Sequence, residues 1–188
     1  MVSIVSANGI DMAYALDGPP NAPVVMFSAT MMCHYTIWDK QVEKLATDYR
    51  VLRYDTRGHG GSDATTGAYT LNLLADDVAS LLEVLDIESV HFVGLSLGGF
   101  IGQVLTCRHP SIIESLVLCD TASQMPPKSM WDERIELVHR EGVKSFPELM
   151  VQRWFTETYR DANPHEMEPI KKMIAEMSID GMIGCCHA

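Results

Sequence analysis

Four short, almost uninterrupted apolar runs recur along the chain: residues 24–27 (VVMF), 51–54 (VLRY), 90–93 (VHFV) and 116–119 (LVLC). Runs of this length without polar alternation suit parallel strands buried on both faces. Helical spacing fills the gaps, at residues 39–46, at 71–85 (LNLLADDVASLLEVL) and at 100–108, where the pattern stops before Pro110. Ahead of these, residues 3–6 and 12–16 flank Asn8-Gly9 and read as an antiparallel hairpin at the sheet edge. Strand alternating with helix predicts an α/β fold, a doubly wound, mostly parallel sheet with right-handed crossovers.

After Thr121 the pattern changes, and only helix signals follow, at residues 131–140, 146–158 and 164–177. The chain therefore divides into the N-terminal part of an α/β core, residues 1–123, and a helical lid over the strand ends, residues 124–188. An ordinary helical C-terminal subdomain is the alternative reading of the second part.

With 47% hydrophobic and 21% charged residues, the 188-residue chain can bury a real core. Its charge balance, 14 − 25 = −11, and the lack of any basic cluster argue against nucleic acid and anionic membranes as partners. The N-terminus MVSIVSANGIDM carries neither a basic n-region nor a long apolar stretch, so the expected location is the cytoplasm. Five cysteines at irregular spacing (Cys33, Cys107, Cys119, Cys185, Cys186) read as reduced, mostly buried thiols, with no disulfide framework and no metal site.

The chemistry concentrates in VHFVGLSLGGFIGQ, residues 90–103. Here Gly94-Leu95-Ser96-Leu97-Gly98 follows a strand and opens a helix, expected from Gly98 or Gly99 onward. A serine on so tight a turn sits in a strained backbone conformation, and side chains at Gly94 and Gly98 would collide with the neighbouring helix and strand. Ser96 would then present its hydroxyl at the carboxyl end of the sheet as a nucleophile. The helix behind it aims unpaired N–H groups at the same point, which makes the Leu97 amide a candidate oxyanion donor. A second donor is expected from the loop after VVMF, with the Thr30 amide first and that of Met31 as the alternative; a plain connecting loop is the bland reading.

A third marker is YDTRGHGGS, residues 54–62, on a loop at the same end of the sheet. His59 could be nominated there as a base. The stronger reading is structural, with glycines making tight turns and Asp55, Arg57 and His59 tying neighbouring loops together. The other histidines, His34, His91, His109, His139, His165 and His187, follow no late core strand. Asp120 ends the run LVLC and is a minor candidate for a catalytic acid.

Taken together, YDTRGHGGS, GLSLGGFIGQ, SLVLCDTAS (115–123) and QRWFTE (152–157) make the chain resemble an α/β-hydrolase of the 3-oxoadipate enol-lactonase type over essentially its whole length. The resemblance implies ester or lactone hydrolysis by a Ser, His and Asp triad through an acyl-enzyme, with no cofactor and no metal, within the breakdown of aromatic compounds. It places Ser96 at the nucleophile and Leu97 at the oxyanion hole. It also implies a small-molecule ester or lactone substrate, and Arg134 or Arg153 could pair with a substrate carboxylate.

Two departures accompany it. Where the family has an asparagine-serine-leucine-glycine run, this chain has Ala29, Thr30, Met31 and Met32. The family's triad acid and histidine lie on strand-end loops beyond the lid, and eight strands at roughly 30 residues per βα unit need more than this chain supplies. The expectation is therefore a C-terminally truncated chain that lacks its last core strands. On that expectation the strand before Ser96 and its neighbours expose one flank, and residues 1–188 alone are inactive. The missing partner would be a C-terminal segment of the same protein or a second copy. A carboxylesterase, a C–C bond hydrolase or a cofactor-free haloperoxidase could use the same scaffold, and a non-catalytic ligand-binding protein is a further alternative.

Overall fold

The computed structural model describes residues 2–124 and 127–188. Met1 lies outside the described residues, as do Met125 and Pro126 at the start of the expected 124–188 lid.

The chain opens with β1 (Val2–Ala7) and β2 (Ile10–Asp17), paired antiparallel so that Ala7 faces Ile10. Asn8 and Gly9, at φ 47° and 76°, form the turn. Two successive left-handed residues match the right-handed twist of the strands they join, and asparagine followed by glycine tolerates that conformation best.

Four further strands follow: β3 (Val24–Ser28), β4 (Arg50–Tyr54), β5 (Val90–Leu95) and β6 (Ile113–Cys119). The sheet order is β1-β2-β4-β3-β5-β6. The pairs β3–β4, β3–β5 and β5–β6 are parallel, while β2 joins β4 antiparallel. The strands are linked by α1 (Asp39–Leu45), α2 (Leu71–Val84) and α3 (Leu97–Arg108).

Alternation along the strands explains why helices cover both faces. Met26, Leu52 and Phe92 join the larger core, with Leu74, Val78 and Leu81 of α2 and Ile101 and Leu105 of α3. Val25, Phe27 and Val51 point the other way, against Trp38 and the α1 residues Val42 and Leu45. The doubly wound, mostly parallel sheet is thus present. Its connections swing to opposite sides of β3, which leaves a crevice at the carboxyl ends of β3 and β5.

Five helices make up the rest: α4 (Lys128–Glu141), α5 (Phe146–Trp154), α6 (Glu157–Ala162), α7 (Pro164–Ala175) and α8 (Ile179–His187). Their buried residues, including Val138, Met150, Ile174 and Met182, extend the larger core upward from the sheet. Helix α8 is seated tightly on the core. A Cβ on Gly58 would fall 2.3 Å from the Gly181 Cα, and the Tyr69 N–H donates to the Gly184 carbonyl at 3.1 Å.

Several expectations need correction. Helix α3 begins at Leu97, not beyond the glycines, because the positive φ of Ser96 completes the chain reversal in one residue. The helix expected over 146–158 is two, since Phe155 is extended and the Thr156 hydroxyl accepts the Tyr159 N–H to start α6. Helix α8 was not anticipated. Its glycines and cysteines mask the helical pattern, yet Ser178 caps it by accepting the Gly181 N–H. The strand before Ser96 is flanked on both sides, by β3 and β6. The outermost parallel strand is β6, where Val117 and Leu118 are 49% and 46% exposed. Of the five cysteines, all free, Cys33, Cys185 and Cys186 are buried while Cys107 is exposed.

Among the described residues no helix is long and apolar enough to cross a membrane.

Candidate active site

Ser96 has φ 51° and ψ −109°, a conformation that costs a non-glycine residue on the order of 1–3 kcal/mol and persists only where its surroundings enforce it. The surroundings do so here. The Ser96 N–H donates to the Cys119 carbonyl at 2.9 Å, and the Ser96 carbonyl accepts from the Thr121 hydroxyl at 2.9 Å, so the end of β6 grips the turn from one side. From the other side, the Gly98 N–H donates to the Ala29 carbonyl at 3.2 Å.

The glycines are dictated by contact. A Cβ on Gly94 would lie 2.4 Å from the Gly98 carbonyl oxygen, and one on Gly98 would lie 2.3 Å from that of Ser28. These separations are far inside van der Waals contact, so strand, turn and helix can close on one another only without side chains there. Gly99 serves the same packing, with Thr121 as its neighbour.

Leu97 is the first residue of α3, so its N–H has no acceptor within the helix and faces the Ser96 turn with the positive end of the helix dipole. Across the crevice, the loop after β3 turns back at Thr30, whose carbonyl accepts the Cys33 N–H at 3.2 Å. Ser96, Thr30 and Met31 line one cavity of about 310 Å³. Two of the three residues proposed from sequence, Ser96 and Thr30, thus border one space with the alternative donor Met31, and Leu97 adjoins it through its peptide bond to Ser96.

The lid supplies the roof of this cavity: Trp131 and Arg134 from α4, and Met150, Arg153 and Trp154 from α5. The Arg134 guanidinium lies 5.0 Å from the Trp131 ring centre, within range of a cation–π contact. Burial lowers the Arg134 pKa from its ordinary value, and the nearby Arg153 charge lowers it further. Arginine remains charged even so. Among the described residues neither arginine forms a salt bridge, and Asp120 is the one acid on the cavity wall. Arg134, half-buried, and Arg153, exposed towards solvent, put two cations against one acid on the wall of this cavity, in a chain of net charge −11.

Among the described residues no histidine lines this cavity. His34 and His59 border a second cavity of about 350 Å³, on the far side of Met32, together with Asp55. The YDTRGHGGS loop is woven into the core. Arg57 forms a buried pair with Asp77 (Nη2 to Oδ1, 2.6 Å; Nε to Oδ2, 2.8 Å), and the Asp55 carboxylate accepts the Tyr35 and Gly61 amides at 2.7 and 2.9 Å. Burial raises the Asp55 pKa, while these two amides pull it back. His91 lies on β5 beside Ser115, and His109 caps α3. His139, His165 and His187 lie on α4, α7 and α8. Asp120, at φ 40°, shares the Ser96 cavity without a histidine beside it. From sequence, Trp131 had no role beyond the helix at 131–140, and Trp154 none beyond its place in the QRWFTE segment of the family resemblance.

A family model of the α/β hydrolase fold matches residues 22–169. The 3-oxoadipate enol-lactonase 2 of Acinetobacter baylyi is 30% identical over 184 residues, spanning 98% of this chain and 69% of that protein. The crystal structure of an enol-lactonase from Burkholderia xenovorans superposes with a TM-score of 0.96 at 34% identity, covering 99% of this chain and 72% of that one. A hydrolase from Pseudomonas aeruginosa gives a TM-score of 0.94 at 35% identity, covering 100% and 71%.

Proposed function

The chain belongs to the α/β hydrolase fold family, and from that premise we propose that the whole protein is a cytoplasmic serine hydrolase that opens a lactone or cleaves a carboxylic ester through an acyl-enzyme. The observation that carries this reading is the strained Ser96 at the head of α3, in one cavity with the β3–α1 loop.

In the proposed mechanism the Ser96 hydroxyl attacks the substrate carbonyl, giving up its proton to a histidine. The amides of Leu97 and Thr30 bind the oxyanion of the tetrahedral intermediate, and water then hydrolyses the acyl-enzyme. The base is proposed to come from outside residues 2–188, since the described histidines face elsewhere. A further segment of the same protein or a second copy would supply it. Residues 1–188 alone would then fold the nucleophile turn without turning over substrate. No cofactor enters this chemistry.

The preferred substrate is an enol-lactone carrying a carboxylate, of the kind formed during breakdown of aromatic compounds. Support comes from the paired Arg134 and Arg153 in the roof and from the likeness to proteins named as enol-lactonases. The test is a panel of a carboxylated enol-lactone, a neutral aryl ester and a dienoate, assayed with the whole protein and its Ser96→Ala variant. Turnover fastest on the carboxylated lactone and lost in Ser96→Ala is expected. Activity of Ser96→Ala within about tenfold of wild type would overturn the nucleophile assignment.

A further inference from the structure

Within the loop between β3 and α1, Met32 stands out because its φ is 71°. The Cys33 N–H to Thr30 carbonyl bond closes a four-residue turn with Met31 and Met32 at its centre. A positive φ at the third residue alone is the signature of a type II turn, a position that normally needs glycine. Methionine prefers the type I alternative, which differs by a flip of the peptide plane between the two central residues. Something must therefore hold the Met31–Met32 plane.

That plane carries the Met32 N–H, which donates to His59 Nε2 at 3.1 Å. The other ring nitrogen, Nδ1, lies 3.1 Å from the Arg57 carbonyl oxygen. A carbonyl can only accept, so Nδ1 bears the proton and Nε2 is left as a bare acceptor. The two contacts agree on one neutral tautomer. The ring is 2% exposed, and burial pushes its pKa down to about 4.

We propose that His59 is a positioning residue for the oxyanion loop: its Nε2 locks the Met31–Met32 peptide in the type II setting and so holds the Thr30 and Met31 amides beside Ser96. His59 takes no proton from substrate or from Ser96 in this role. The proposal rests on Ser96 and the Thr30 amide acting as described above.

The test compares His59→Leu, which fills similar space but cannot accept, with the same change combined with Met32→Gly. Glycine takes a positive φ freely and restores the type II preference without an external acceptor. In the whole protein acting on an aryl ester, His59→Leu is expected to lower kcat by about tenfold to a hundredfold, less than the roughly hundredfold to thousandfold that follows outright removal of one oxyanion donor, with KM moved less than about threefold. Affinity for an aryl boronic acid, which mimics the tetrahedral adduct, should fall in step with kcat. Adding Met32→Gly should bring kcat back to within about threefold of wild type. An unchanged kcat in His59→Leu, a loss confined to KM, or no recovery with Met32→Gly would overturn the proposal. If His59→Leu does not fold, nitrogen-15 NMR of wild-type imidazoles decides. A neutral, Nδ1-protonated His59 that does not titrate from pH 5.5 to 8 supports the proposal, and the opposite tautomer or a titration in that range refutes it. Ser96→Ala run alongside separates the two failures: activity there removes the underlying reading, whereas a dead Ser96→Ala with an unaffected His59→Leu removes only the positioning role.

Discussion

Two cavities of similar volume, about 310 and 350 Å³, meet at Met32, yet they hold opposite halves of what hydrolysis requires. The Ser96 cavity contains a strained serine, a helix N-terminus and two arginines without salt-bridge partners among the described residues. Its neighbour contains two histidines and a buried carboxylate, and the buried groups among them are engaged: His59 by Met32 and Arg57, Asp55 by Tyr35 and Gly61, with His34 Nδ1 on the Thr36 hydroxyl. The difference teaches that an abundance of titratable groups is a poor guide to reactivity. A group whose hydrogen bonds are all satisfied internally holds backbone in place, and the space proposed as reactive is the one where donors and charges still lack a partner.

The largest expected effect separates the two spaces outright. Ser96→Ala should reduce kcat of the whole protein by on the order of ten-thousandfold or more with little change in Tm, while His34→Ala, in the second cavity, should change kcat by less than about threefold. Steady-state assays of both variants check this, and a large loss in His34→Ala would erase the distinction.

Next comes the packing beneath the serine. Gly98→Ala drives a Cβ into the Ser28 backbone and should destabilise the fold by about 3 kcal/mol, measured by urea unfolding. Gly102→Ala meets side chains rather than backbone, the buried Phe92 ring and the Leu116 methyl at 2.8 and 2.9 Å, and should cost less.

A comparable effect belongs to the second cavity alone. The folded-state pKa of His59 is lowered by burial to about 4 from 6.5. The unfolded chain therefore binds the proton first, and stability is lost as pH falls from about 6.5 towards 4. The full difference amounts to about 3 kcal/mol. Unfolding of wild type and His59→Gln at pH 7 and pH 4.5 should show a weaker pH dependence in the variant; equal slopes would contradict it.

The smallest effect sharpens the first cavity's character. Arg134→Ala and Arg153→Ala should each raise KM for a carboxylated substrate by about tenfold, equivalent to about 1.4 kcal/mol, and leave a neutral ester within about threefold. Equal losses on both substrates would mean that the arginines support the lid and do not read charge.

The sheet was legible in the sequence because its signals are short in range. Residues 24–27, 51–54, 90–93 and 116–119 all fall inside strands; the first two runs are apolar because β3 and β4 are covered on both faces, while β6 keeps its apolar run although Val117 and Leu118 are about half exposed. The lid was read less well. Thr156 ends one helix and begins another through a single cap, and the glycines of α8 lower its helical signal because they serve contact with Gly58 and Tyr69, far away in sequence.

The same divide runs through the site. The sequence by itself marked the Ser96 turn, because Gly94, Ser96 and Gly98 fall within five residues between a strand and a helix, whereas the contacts that enforce it, from Ser28, Ala29, Cys119 and Thr121, come from the fold. It also marked the YDTRGHGGS loop as structural without naming what its histidine holds. Tertiary structure decided that partner. His59 reaches Met32 across 27 residues, and a non-glycine φ of 71° cannot be read from a run of two methionines. Packing likewise chose among the cations: Arg134 and Arg153 enter the Ser96 cavity because α4 and α5 turn those faces inward, whereas Arg160 is spent on the carbonyls of Gln152 and Phe155. Side-chain direction depends on how helices seat against the sheet, a property of the whole fold that no local pattern encodes.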